Sequence, residues 1–355
     1  MQTTDRARLR WVIVPLAALT FIGLAATAQR LPGQEPPGSF APTGGPDVSA
    51  SGTTASPVPA SQAPATQAPA TPAPITPWTV PFLSRPTSGP IFLENCQDVV
   101  IEGKTFQDLG PDVEAIHLEN CDNVTIRNND FARVAQAITA TDSTNIRVEW
   151  NRYSDIVGPH ARVDLNRANF VQFDNVRGGY IGTNKGIGGD TEDIVSLHSS
   201  GGSPDEPLVV ENNHFEGTNW SSQSGSGIAL GDSGSTYSVA RNNILLNPGQ
   251  VGIFIAGGTH NAIVDNVVYG EQRPLSNVGI YVWNQTDGGC SDHEVRGNRV
   301  VWYRADGEDN ESWDQGGCGD VAGWDTNDWG ATLDPETLRV DMSDPAPPRS
   351  SASEP

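Results

Sequence analysis

Two stretches, IFLENCQDVVIEGKTF from Ile91 and IHLENCDNVTIRNNDF from Ile116, match position for position at a spacing of 25 residues. The same shape returns in ITATDSTNIRVEWNRY from Ile138, FVQFDNVRGGYIGTN from Phe170, IVSLHSS from Ile194, GIALGDSGSTYSVARNN from Gly227, GIFIAGGTHNAIVDN from Gly252 and GIYVWNQTDGGCSDHEVRGN from Gly279. Each unit carries a short β-branched strand, a polar turn, a second strand and then an asparagine. A unit of this size with no helical periodicity cannot close a core alone, whereas stacked units can. Leucine-rich repeats would hold leucine at fixed positions, and propeller blades need units of roughly 40 residues or more. The pattern predicts an all-β chain, a right-handed parallel β-helix that forms a solenoid of about eight coils.

Strand alternation converts the repeat into a map of faces. If Ile91/Leu93, Ile116/Leu118, Ile138/Ala140, Val171/Phe173, Val195/Leu197, Ile228/Leu230, Ile253/Ile255 and Ile280/Val282 point inward, their neighbours line one outer wall. That wall runs through Phe92/Glu94, His117/Glu119, Thr139/Thr141, Gln172/Asp174, Ser196/His198, Ala229/Gly231, Phe254/Ala256 and Tyr281/Trp283. One end is rich in carboxylates and histidines, the middle is small, and the other end is aromatic. Flat rings beside small residues suit stacking against sugar rings, and carboxylates or amides nearby can bond hydroxyls. The competing reading is that these rings pack under a loop or the C-terminal segment.

Asn129, Asn151, Asn184, Asn213, Asn243, Asn266 and Asn298 recur after the second strand. Stacked coils would bring these amides into a hydrogen-bonded ladder, a structural role rather than a site. Cys96 and Cys121 fall at equivalent positions of successive coils, about 4.8 Å apart in backbone terms, which permits a bridge. Cys290 and Cys318 form a second plausible pair in a chain bound for an oxidising compartment.

Residues 1–28 carry a basic start, an apolar run from Trp11 to Ala28 and an Ala26-Thr27-Ala28 site, so they are expected to act as a signal peptide or to remain as a membrane anchor. Residues 29–79 are dominated by Pro, Ala, Thr and Ser and are read as a disordered spacer. The β-helix is assigned to 80–342, and 343–355 to a disordered tail. The protein is therefore expected to be secreted or tethered at the cell surface, and to act as a monomer. The net charge of −22 disfavours nucleic acid and anionic lipid as partners. The expected partner is a polysaccharide or cell-wall glycan, with the membrane met only through the N-terminal segment.

The repeat as a whole, about Ile91 to Asn298, resembles the pectate-lyase-like superfamily of right-handed β-helices. Glu192-Asp193-Ile194-Val195-Ser196-Leu197-His198-Ser199 resembles the paired-aspartate strand of polygalacturonase-type glycosidases, and Gly225-Ser226-Gly227-Ile228-Ala229-Leu230-Gly231 resembles their next glycine-histidine-glycine motif. Ser226 stands in place of that histidine, Glu192 in place of the first aspartate, and no arginine-x-lysine segment follows in the next coil. The resemblance implies an extracellular carbohydrate-active enzyme, with Asp193 and Glu192 as acid/base candidates.

Glycoside hydrolysis needs a protonated carboxylic acid and a second carboxylate. Asp193 and Asp232 are the expected working pair, with Glu192 and Asp190 beside them as further catalytic candidates and His198 holding substrate or tuning a carboxyl. Against this stands simple turn chemistry, since Asp beside Gly commonly caps a turn. Asp174, His198, Gln172, Phe254, Tyr281, Trp283, His117 and Glu119 are the substrate-binding candidates. A polysaccharide lyase is the alternative: its strong base would come from Lys185, Arg167 or Arg162, and Ca2+ could sit in GGDTED or in the acidic loop from Asp306 to Glu311. No other cofactor is called for. A non-catalytic glycan-binding module is the third reading.

Overall fold

The computed structural model describes residues 81–158, 168–217, 225–286 and 288–342. The expected export segment (1–28), the spacer (29–79), the tail (343–355), Arg162 and Arg167 lie outside them.

The chain winds through parallel strands whose partners are always one coil away. One path of wall strands runs Ile91–Glu94, the end of Thr105–Glu119, the end of Asp130–Thr141, Val171–Asp174, Asp193–His198, Ser226–Asp232, Val251–Ile255, Val278–Trp283 and Ser312–Gly316. A second face is an 8-stranded parallel sheet from Val100–Glu102 to Glu294–Arg296. A third continues from the long strands through Arg152–Ile156, Lys185–Gly189, His214–Glu216, Ile244–Leu246, Val267–Gly270 and Arg299–Trp302 to Asp328–Trp329. The described residues contain no α-helix, only 3-10 turns at Trp324–Thr326 and Pro335–Leu338.

The register is the one the repeat predicts. Ile91 pairs with Ile116, Ile116 with Ile138, Ile138 with Val171, Val171 with Val195, Val195 with Ile228, Ile228 with Ile253 and Ile253 with Ile280. Every inward residue from Ile116 to Val282 is fully buried, and a buried aliphatic of this size contributes roughly 2 kcal/mol relative to exposure. Phe106 and Phe131 stack in the interior at 5.1 Å, and Phe170, Tyr153 and Phe215 continue the aromatic file. Phe170 sits where the chain rounds the corner onto the wall. Consecutive Phe170 and Val171 are both buried, so the residue before them, Asn169, and its equivalents Gln136, Asp193 and Ser226 form an additional column at the corner. Strict alternation misses this column.

The asparagine ladder forms as expected and runs one rung further. Each amide donates to the carbonyl oxygen of the next, from Asn129→Asn151 (3.1 Å) through Asn184, Asn213, Asn243 and Asn266 to Asn298, and Asn298 donates to Asn327 at 2.8 Å. Each side-chain carbonyl also accepts the backbone N–H of the preceding rung, as Asn213 does from Asn184. This satisfies buried polar backbone that the turn would otherwise strand. Cys290 and Cys318 are bridged as expected, with Cα atoms 4.4 Å apart, and the Cys96–Cys121 bridge that the stacking permitted is also formed, at 4.5 Å.

The C-terminal segment docks on the third face. Leu338 O accepts from His214 Nε2 (2.7 Å), Asp341 O from Lys185 Nζ (2.9 Å) and Met342 O from Arg152 (3.2 Å). Lys185, expected as a lyase base, is thus buried under this segment on a face other than the wall. Alternation could not reveal this, because the docking segment is remote in sequence.

Candidate functional site

The wall strands place Gln172 opposite Thr139 and Ser196, and Asp174 opposite Thr141 and His198. The next step departs from the even repeat. Ser196 pairs with Ala229, but His198 pairs with Asp232, because the Ser226–Asp232 strand holds one extra residue there. Gly231 forms the bulge with φ +74, and a Cβ on it would lie 2.3 Å from the Gly257 carbonyl oxygen, so only glycine fits. The expected wall position of Gly231 therefore belongs to Asp232, which turns the small middle of the wall into a charged one.

Asp174, His198 and Asp232 consequently sit side by side on three consecutive coils. His198 Nδ1 is 2.8 Å from Asp174 Oδ1, and His198 Nε2 is 2.7 Å from Ser233 Oγ. The tautomer with its proton on Nδ1 satisfies both contacts: Nδ1–H donates to Asp174, and Nε2 accepts from Ser233. All four residues remain accessible to solvent. Ser233 escaped the sequence reading, although the Gly231-Asp232-Ser233-Gly234 turn was a visible signal.

Asp193 stands apart. It pairs with Ser226 and accepts a hydrogen bond from that serine's Oγ. Five residues of extended strand separate Asp193 from His198 and so from Asp232, about 16 Å of rise, beyond the spacing of a carboxylate pair. Asp193 and Asp232 are thus not brought together as the expected working pair. Asp190 and Glu192 lie at the same corner as Asp193, their backbone N–H groups bonded to Ile156 O and Ala168 O.

His117 and Glu119 are three coils from His198 and form a separate group. His117 Nδ1 contacts Glu114, and Nε2 lies 3.9 Å from Glu119. Gln172 turns its amide onto Phe173 O at 3.3 Å. In the other direction the aromatic shelf is continuous. Phe254 and Tyr281 stack at 4.9 Å with an interplanar angle of 11°, and Trp283 meets Tyr281 edge-on at 6.4 Å. Trp313, absent from the sequence reading, extends the file at 5.7 Å from Trp283. It was hidden because its coil carries Ser312 where the repeat has an aliphatic residue, opposite Ile280. Burial pushes the Tyr281 phenol up, and the charges of Asp193 and Asp232 act in the same direction, so the ring stays neutral. Gln285 donates to its oxygen at 2.7 Å.

Asp306 in the acidic loop is held by Arg304 and accepts the Glu308 N–H. Among the described residues the close ligand group is Cys290, His293 and Cys318, whose sulfurs are joined in the disulfide.

The family model described as right handed beta helix region matches residues 84–268, slightly more than half of the chain. The chain belongs to that family. None of the curated proteins matches it. Among solved structures, this β-helix is similar to DFA-IIIase from Arthrobacter chlorophenolicus A6 in complex with GF2, at 16% identity and a TM-score of 0.44, covering 66% of this chain and 59% of that one. It therefore spans less than two thirds of the DFA-IIIase chain. Alginate lyase from Paenibacillus sp. str. FPU-7 matches at 12% identity over 62% of this chain and 91% of that one, with a TM-score of 0.32. PfbA, a surface adhesin of Streptococcus pneumoniae, matches at 11% identity over 70% and 73%, with a TM-score of 0.29.

Proposed function

We propose that this β-helix holds an extended polysaccharide along its outer wall and hydrolyses it at the Asp174–His198–Asp232 cluster, outside the cell. The observation that carries the proposal is continuity. The ring file Phe254, Tyr281, Trp283 and Trp313 lies on the next three strands of the same parallel sheet that carries the acid and histidine cluster, so a chain stacked on the rings and running across the strands passes over the carboxylates.

Asp174 and Asp232 flank His198 at two inter-strand spacings, about 10 Å between backbones. A carboxylate pair at about this spacing lies near the upper end of the separation that leaves room for a water, which corresponds to inversion. Asp174, bonded to His198, is assigned the role of base. Asp232, beside the shelf, is the group to protonate the leaving oxygen. Of the three lyase base candidates, Lys185 is committed to the third face.

Glycan screening of the full chain tests the reading. Hydrolysis yields new reducing ends, elimination yields unsaturated products that absorb in the ultraviolet, and an adhesive or binding role yields retention with no turnover. Asp174→Asn and Asp232→Asn should each lower hydrolysis at least about 100-fold while retention on the glycan persists. Hydrolysis that survives both changes would remove the cluster from the mechanism.

A further inference from the structure

Asp174, His198 and Ser233 form a hydrogen-bonded chain in which a carboxylate orients an imidazole and the imidazole's other nitrogen meets a serine hydroxyl, at 2.8 Å and 2.7 Å. We infer that Ser233 is a nucleophile for acyl transfer, and that the protein removes ester-linked acyl groups from the glycan bound on the wall. This rests on the glycan-binding reading for its substrate class, but it assigns a different bond and a different residue from glycosidic cleavage.

Three features of the turn support a reactive serine. Gly234 N–H donates to Gly231 O at 3.2 Å, and Ser235 Oγ donates to Asp232 O at 2.7 Å, so the turn carrying Ser233 is tied at both sides. Ser233 has φ 53 and is exposed at the rim of the wall, so its Oγ is presented on a tight turn between a strand and a loop. Its backbone N–H also differs from its equivalents. Asp142, Asn175 and Ser199 hold the same left-handed turn position in preceding coils, and their N–H groups donate to Asp174 O, His198 O and Asp232 O, each at 3.0 Å. Among the described residues Ser233 N–H makes no such bond, since the next wall strand ends at Ile255. It is a donor beside Oγ, suited to an ester oxygen that gains negative charge.

The step balances with water as the only co-reactant. Ser233 Oγ bonds to the acyl carbon as its proton passes to His198 Nε2, and the bond from acyl carbon to sugar oxygen breaks, with that oxygen taking the proton from His198. Water then attacks the acyl-serine with His198 as base, releasing the carboxylic acid and restoring the hydroxyl. Asp174 stays ionised throughout and holds the imidazolium.

The test uses the full chain, p-nitrophenyl acetate as substrate probe and a fluorophosphonate as covalent label read by mass spectrometry. The expected result is a single label on Ser233, with ester turnover falling at least about 100-fold in Ser233→Ala and in His198→Gln. Because Ser233 is exposed, Ser233→Ala keeps the fold, checked by an unchanged melting curve. No turnover and no label in the native protein, a label elsewhere, or turnover retained in Ser233→Ala would each overturn the inference. Retention of the glycan on the aromatic shelf, measured in parallel with both proteins, reports separately on the wall reading.

Discussion

His198 and Asp232 face each other on adjacent wall strands only because the second strand carries one residue more than the first after the Ser196–Ala229 pair. That extra residue, Gly231, brings a carboxylate and the following serine to an imidazole that an even repeat would have left opposite a glycine.

Gly231→Ala should therefore damage site and stability together. The left-handed φ of +74 costs a Cβ-bearing residue about 1–2 kcal/mol, and the Gly257 carbonyl 2.3 Å from the new Cβ forces a further shift. A loss of about 2 kcal/mol or more in urea unfolding is expected, with hydrolysis falling more steeply than glycan retention because Asp232 and Ser233 move relative to His198.

The shelf makes a contrasting prediction. Trp313→Ala, at the far end of the ring file from His198, should weaken glycan retention about fivefold, in keeping with roughly 1 kcal/mol for an aromatic contact. Turnover at saturating substrate should stay near the native rate. Retention measured on immobilised glycan, with kcat and KM taken separately, decides it; an unchanged KM would take Trp313 out of the binding surface.

Asn213 lies in the middle of the buried ladder. Its carbonyl oxygen accepts from Asn184 N–H and Asn184 Nδ2, and its amide donates to Asn243 and Ile181 O. Asn213→Leu keeps similar bulk but removes the acceptor of Asn184 N–H and of one Asn184 Nδ2 proton, whose other proton still bonds Val148 O, and removes the amide donor to Ile181 O. Each orphaned group costs about 1–3 kcal/mol, so a total of about 3 kcal/mol or more is expected. The midpoint of chemical unfolding should fall accordingly.

Stability should also fall in mild acid. His293 is buried, its Nδ1 accepting Asn261 N–H and its Nε2 3.2 Å from Cys290 Sγ. Burial pushes its pKa from 6.5 down to about 4. The unfolded chain takes up a proton below about pH 6.5 that the native state refuses, so this contribution is fully present above pH 6.5 and is lost as pH falls towards 4. The loss amounts to about 3 kcal/mol. Burial shifts His214 in the same direction. In His293→Gln the unfolding free energy should depend less steeply on pH across this window; an unaltered slope would show that other groups carry the dependence.

The coils, the inward residues and the asparagine ladder were legible in the chain because they follow from a local rule repeated at fixed spacing. A strand's side chains alternate, stacked coils must bury the same positions, and an amide needs its neighbour's amide. The composition of the wall was legible for the same reason, up to the point where the repeat stayed even.

What the tertiary structure alone decided are the departures from that rule. A one-residue bulge exchanged Gly231 for Asp232 and brought Ser233 to His198, and the C-terminal segment covered Lys185. Each depends on where chain segments distant in sequence come to lie, and the energy that fixes them, backbone pairing across coils and docking between remote segments, leaves no periodic mark in the sequence.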